Sequence, residues 1–290
     1  MFRIRPSRCA LILLLLVPIV LFYTLLGRIS SSLHANTASA SVATTTPPTN
    51  PPLKIGIITL NLYDQPFPDW IEKATLSKQE YCYKHNYTCL VFTQRIIPKE
   101  DTHLMKVWDK IYLAKQILPE YDWIWLLDTD SYLTNANLTL ETVISRSRSL
   151  HRSDHPMEII ISHDENALNC GSFFLHNSPW THQTLNHWWD LRNQKHYPHW
   201  DAWFEQAAFL WMHEKNEFGV KERTSVVPQH WINSYMPYRP KGAYEVLKET
   251  GKYHGREAKE WWWRPGDLVM HGPGFYKGTF ERFVGEPFGL

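Results

Sequence analysis

Residues Trp123 to Leu127, WIWLL, are apolar at every position and lead directly into Asp128-Thr129-Asp130. Side chains alternate between the two faces of a strand, so a strand with no polar position has both faces buried. Such strands belong in the middle of parallel sheets with helices on both sides. The flanking segments agree. Lys54–Leu62 (KIGIITLNL) reads as a buried strand and Leu90-Val91-Phe92 as another. Between them Asp69 opens a helix running to about His85, with Glu72 placed as a capping box requires. Lys106–Leu118 reads as a second helix, with Val107, Ile111, Ala114 and Leu118 on one face and Pro119 just past its end. The order β-α-β-α-β predicts an α/β fold with a mostly parallel, Rossmann-like sheet and flanking helices. Later segments are mixed, with strands at Glu158–Ser162, Ser172–His176 and Thr224–Val227 and helices at Pro179–Leu191 and Ala202–Lys215. The tail from 236 to 290 holds 9 of the 13 Gly and is expected to wrap over the site as loops.

Function classes narrow with the charge. Lys+Arg is 30 and Asp+Glu 29, a net charge of +1, which leaves no basic footprint for nucleic acid. The 14 Trp offer ring faces to sugars, although core packing accounts for most of them. Ala10 to Leu26 carries no charge, follows Arg3, Arg5 and Arg8, and precedes only Arg28. At 1.5 Å per residue the run spans roughly 26 Å, close to a bilayer's hydrocarbon core. The positive flank stays cytosolic. The expected layout is a cytosolic tail (1–9), a signal anchor (10–27), a flexible Ser/Thr/Pro-rich stem (28–52) and a lumenal catalytic domain (53–290). A cleaved signal peptide ending near Ala38-Ser39-Ala40 is the alternative. The sequons Asn86-Tyr87-Thr88 and Asn137-Leu138-Thr139 agree with a lumenal location. So does the spacing of Cys82 and Cys89, seven apart across a helix-to-strand turn, which admits a disulfide and leaves Cys170 as a small buried residue.

Four clusters carry chemistry. Asp128 and Asp130 place two carboxylates about 7 Å apart on one side of the chain where a buried strand ends. If the chain turns there, both reach one hard divalent cation, and such a cation bridges phosphates. Parallel sheets bind ligands at this end of their strands. The second cluster, His271-Gly272-Pro273-Gly274-Phe275-Tyr276-Lys277, offers a nitrogen ligand, glycines for close backbone approach, and a Lys for phosphate. Taken alone it is also an ordinary Gly-Pro turn. The third is Asn169-Cys170-Gly171-Ser172, a polar cluster leading into an apolar strand. The fourth is Trp203-Phe204-Glu205-Gln206 at a helix start, where Glu205 either faces the reacting centre or serves the helix dipole.

Taken in order, YDWIWLLDTD, NCGSFFLHNSPW, Glu205-Gln206, VPQHWINSY and the late HGPG resemble glycosyltransferase family 34 over roughly residues 54–277. This is the fungal galactosyl- and mannosyltransferase family, with plant xylosyltransferase relatives. The resemblance implies a GT-A fold, a UDP- or GDP-sugar donor, a glycan or glycoprotein acceptor, Mn²⁺ (or Mg²⁺) dependence, retention at the anomeric carbon and a Golgi membrane location. Asp128, Asp130 and His271 would hold the metal, and Glu205 and Gln206 would sit by the donor sugar as catalytic groups. Donor contacts are expected from Lys106, Lys110, Asp128, Thr129, Asp130, Asn169, Gly171, Gly274 and Lys277. The last resembles the diphosphate-contacting Lys of the related family 8. An oligomer or transferase complex fits this setting. The sequence departs from family 34 in the Gly-Pro-Gly after His271 and in the Trp261-Trp262-Trp263 run. A family 8-like transferase and a non-catalytic glycan-binding subunit are the competing readings.

Overall fold

The computed structural model describes residues 51–236, 252–253, 256–257 and 261–274. The expected anchor, most of the stem, and Lys277 lie outside the described residues. Among the described residues no helix is long and apolar enough to cross a membrane.

The chain runs β1 (Ile55–Leu60), α1 (Asp69–His85), β2 (Thr88–Phe92), α2 (Asp109–Ile117), β3 (Trp123–Leu127) and β4 (Ser131–Leu133). It continues through α3 (Leu140–Leu150), β5 (Ile159–His163), β6 (Leu168–His176), α4 (Pro179–Asp190) and α5 (Phe204–Lys215). Then come α6 (Val220–Arg223), β7 (Thr224–Val227), α7 (Gln229–Ile232) and β8 (Ser234–Tyr235). The short pair β9 (Lys252–Tyr253) and β10 (Arg256–Glu257) precedes β11 (Val269–His271).

Six strands form the main sheet in the order β2-β1-β3-β6-β5-β7. β1 pairs in parallel with β2 and β3, and β5 with β7, whereas β6 runs antiparallel to both its neighbours. β3 is buried throughout, as its composition requires. Ile124 and Leu126 pack on one face with α2, α4 and α5. Trp123, Trp125 and Leu127 pack on the other with residues of α1 and α3. Trp125 stacks on Phe174 across the sheet, at 4.9 Å between ring centroids. Trp70, Trp108, Trp123, Trp125, Trp188, Trp189 and Trp263 are all buried, so the core takes up much of the unusual Trp content.

Several boundaries differ from expectation. The residue before α1 is Pro68, no side chain caps the helix, and Asp69 already lies inside it, so the Asp69–Glu72 capping box does not form. Both acids still sit in the first turn, where the helix dipole favours them. The Lys106–Leu118 helix divides into a 3₁₀ turn (Lys106–Trp108), α2, and a second 3₁₀ turn containing Pro119. Val107 is consequently exposed, while Ile111, Ala114 and Leu118 are fully buried. α5 begins at Phe204 rather than Ala202 because His199 and Phe204 take positive φ (58° and 46°) and hold the intervening residues in a turn. β6 starts four residues earlier than expected and takes in Asn169, Cys170 and Gly171. The Gly-rich tail contributes a strand as well as loops. β11 lies between β4 (antiparallel) and β8 (parallel) in a second, three-stranded sheet. The Cys82–Cys89 disulfide is formed and Cys170 is a buried thiol.

Leu126 is fully buried in β3 and Leu76 is half exposed on α1. Leu126→Ala should lower unfolding free energy in urea by about 2–5 kcal/mol, and Leu76→Ala by less than about 0.5 kcal/mol.

Candidate active site

The site forms where β3 leaves the sheet. Asp128 N–H still donates to Gly171 O of β6 (2.8 Å), and Ser131 N–H then donates back to Asp128 O (3.2 Å), closing a turn over Thr129 and Asp130. Thr129 Oγ1 ties the turn to Leu60 O of β1 (2.7 Å). β11 brings the last member. Its register sets His271 opposite Ser131, and Gly272 N–H donates to Asp130 O (2.9 Å). His271 Nε2 lies 3.4 Å from Asp130 Oδ1. One ligand atom each from Asp128, Asp130 and His271 falls within 4.8 Å of the others.

A chain of amides fixes the imidazole. Gly171 N–H donates to Asn169 Oδ1 (2.9 Å), so that atom is an acceptor, and Asn233 Nδ2 donates to it as well (3.0 Å). Asn233 therefore presents Oδ1 to His271 Nδ1 at 2.6 Å, which makes Nδ1 the protonated ring nitrogen. In the neutral ring the lone pair then lies on Nε2. That nitrogen is buried without a hydrogen-bond partner among the described residues. A buried nitrogen acceptor left unpaired beside two carboxylates has the donor set of a site for a hard divalent cation. At metal–oxygen distances of about 2.1 Å, opposite ligands of one ion stand roughly 4 Å apart, and the observed cluster fits with small movements. Asp164 anchors the outer end of the amide chain. Its Oδ2 accepts from Asn169 Nδ2 (3.0 Å) and from the Tyr235 hydroxyl (2.7 Å).

Gly171 makes room for this cluster. A Cβ there would stand 2.3 Å from His271 Cε1, 2.8 Å from Asn169 Oδ1 and 3.1 Å from Asp128 Oδ2.

Lysines surround the carboxylates in three different ways. Lys110 Nζ is buried and bonds Asp128 Oδ1 (2.6 Å), Cys170 O (2.9 Å) and Glu205 Oε1 (3.4 Å). Burial opposes its charge, but Asp128 and Glu205 outweigh burial and raise its pKa above the usual value. Lys106 is exposed on the rim, with Nζ on Leu62 O (2.7 Å). Lys78 of α1 is 1% exposed and donates to the backbone of the turn, at Asp128 O (2.9 Å) and Thr129 O (3.2 Å). Burial pulls its pKa down to about 7, against the opposing pull of Asp130 and Asp128.

Glu205 is buried. Its desolvation raises its pKa, and Lys110 partly offsets this. Gln206 Oε1 accepts from Cys170 N–H (2.8 Å), which locks the start of α5 to β6. Asp128, Thr129 and Asp130 line a cleft of about 400 Å³ together with Lys106, Lys110, Tyr63 and Asp64. That is the scale of a small-ligand site. Gly274 is exposed at the end of the described segment with φ 47°.

The expected residues thus divide. Asp128, Asp130, His271, Asn169 and Gly171 converge, and Lys110 joins Asp128 to Glu205. Sequence reasoning missed Lys78, Asn233 and Asp164. Asn233 lies in the VPQHWINSY segment, but its partner is 38 residues away. Lys78 lies in a helix where a Lys ordinarily faces water.

Because a methyl at 171 collides with the imidazole, Gly171→Ala should weaken divalent-cation binding by about 10- to 100-fold, read by titrating the purified protein with Mn²⁺ as the probe, while the fold remains cooperative.

Comparison with known proteins places this geometry. The chain is 27% identical over 186 residues to a probable alpha-1,6-mannosyltransferase, MNN10, of Saccharomyces cerevisiae, covering 56% of this chain and 47% of that protein. It is 25% identical over 232 residues to a probable alpha-1,2-galactosyltransferase, gmh2, of Schizosaccharomyces pombe, covering 69% of this chain and 59% of that protein. The chain thus spans about half the length of these curated relatives. Its fold matches the crystal structure of a glycosyltransferase involved in the glycosylation of the major capsid of PBCV-1, with a TM-score of 0.54 at 17% identity over 80% of this chain and 98% of that one. The residues that meet at the site, from Lys78 to His271, all lie between 57 and 275, the stretch that matches the galactosyl transferase GMA12/MNN10 family, and the chain belongs to that family.

Proposed function

We propose that this chain is a divalent-cation-dependent, retaining glycosyltransferase that moves a hexose, galactose or mannose, from a UDP- or GDP-sugar to a glycan or glycoprotein acceptor. The observation that carries this reading is the buried Nε2 of His271, which has no hydrogen-bond partner among the described residues and faces Asp130 and Asp128. A binding module has no need of that donor set, whereas glycosyl transfer from a nucleoside diphosphate gains from a cation that stabilises the departing diphosphate. Mn²⁺ is the expected ion and Mg²⁺ the alternative. When bound, the cation neutralises charge developing on the departing nucleoside diphosphate.

The chain's own residues supply the rest. Lys106 stands on the cleft wall, where it meets phosphate. Lys110 is held by Asp128, Glu205 and Cys170. In this reading it orients Asp128 and joins it to Glu205, rather than reaching the donor itself. Glu205 and Gln206 would flank the sugar from the start of α5, where Glu205 stabilises positive charge at the anomeric carbon. Asn169 and Gly171 shape the imidazole pocket, and Lys277 would contact the diphosphate.

Location follows the same reading. A signal anchor over 10–27 would hold the catalytic domain in the Golgi lumen, alone or within a transferase complex. Asn86 and Asn137 are both exposed, which suits N-glycosylation there. The Cys82–Cys89 disulfide suits an oxidising compartment.

A screen of UDP- and GDP-hexoses with Mn²⁺, scored by nucleotide release, tests the reading. One donor should stand above the others, and release from none would contradict it. Asp130→Ala should reduce transfer to background with unchanged circular dichroism. EDTA should silence the enzyme and excess Mn²⁺ should restore it.

A further inference from the structure

We propose that Lys78 is a positioning residue for the cation site: it holds the Asp128–Asp130 turn from behind, so that the carboxylates meet His271 before any ion arrives. The inference rests on the cation reading above.

Lys78 is 1% exposed, so neither donor nor acceptor can touch it. Yet its Nζ donates to two consecutive carbonyls of the turn, at Asp128 O (2.9 Å) and Thr129 O (3.2 Å). Carbonyls gathered on one side of a turn leave the side chains to project from the other. There Asp128 Oδ2 lies beside Gly171, and Asp130 Oδ1 stands 3.4 Å from the imidazole. An amine donates to both carbonyls whether or not it carries the extra proton. The clamp therefore does not depend on the state of its charge.

The helix that carries Lys78 is itself tied down. The adjacent Ser77 Oγ accepts from Leu133 N–H (3.2 Å), at the far end of the same connection. Cys82, one helical turn beyond Lys78, is bonded to Cys89 of β2. Further along, Tyr81 hydroxyl donates to Leu138 O (2.5 Å) and Lys84 Nζ to Asn137 Oδ1 (2.8 Å). One face of α1 thus grips the chain from the metal turn to the start of α3, and Lys78 is the contact that reaches the ligands. Without it, Thr129 O loses this donor, Asp128 O keeps only the longer bond from Ser131 N–H (3.2 Å), and the turn is free to rotate its carboxylates apart.

The experiment is Mn²⁺ binding to the purified protein, read by electron paramagnetic resonance of the free ion with no donor present. Thermal unfolding is recorded for each variant. Wild type should bind one ion. Lys78→Met should fold cooperatively and bind about 10- to 100-fold more weakly, the usual cost of losing support behind a metal ligand. Ser77→Ala removes the neighbouring tie but not the contact with Asp128 and Thr129, and should lower the melting temperature while keeping wild-type affinity. A folded Lys78→Met protein with wild-type affinity would overturn the proposal, as would an equal loss in Ser77→Ala. Should Lys78→Met not fold, Lys78→Gln is read in its place. Its side chain is one bond shorter and cannot reach both carbonyls, so wild-type affinity there also overturns the proposal. Failure of the wild-type protein to bind Mn²⁺ would instead sink the cation reading itself.

Discussion

Burial of β3 on both faces is the constraint on which the site depends. Five apolar residues packed between two cores cannot slide or twist, so the point at which the chain leaves the sheet is fixed, and Asp128 stands there. From that fixed point a single turn sets Asp130. The second sheet carries His271 back to meet it from more than 140 residues downstream. The location is therefore a property of the core, while the chemistry is a property of the turn.

Burying Glu205 near Asp128 creates an electrostatic problem. Desolvation raises the Glu205 pKa, and the like charge of Asp128 adds to the rise. Lys110 answers the problem directly by standing between Asp128 and Glu205. Removing one partner of such a buried pair leaves the other charge uncompensated, which costs more than the pair itself contributes. Lys110 is thus bound to its acids in the free protein, and this separates it from Lys106, which remains at the open rim.

The sequence made the centre legible and left the supports hidden. WIWLL followed by Asp128-Thr129-Asp130 announces a buried strand and its polar exit without any knowledge of partners. β6 was harder. Asn169, Cys170 and Gly171 break the apolar pattern and read as a lead-in, yet the backbone pairs there, Asn169 with Ser162 of β5 and Gly171 O with Asp128 N–H, and each has a distant partner: Asn233 for Asn169, Gln206 for Cys170, and the His271 ring, which needs the space at Gly171. Lys110 was legible as a cation near the site but not in its direction, since spacing alone does not separate a phosphate contact from an ion pair with Asp128. Lys78 left no local signal. Its burial comes from α1 packing across the turn, a contact between segments 50 residues apart. The tail's strand was also invisible, because β11 is three residues long and pairs with the distant β4 and β8.

Crystals grown with Mn²⁺ and a nucleoside diphosphate test the central claim most directly, through the anomalous signal of the metal. The account predicts one strong peak among the side chains of Asp128, Asp130 and His271, next to the diphosphate. A nucleotide seated in the cleft with no peak between it and these three side chains, or with the metal bound elsewhere, would contradict it.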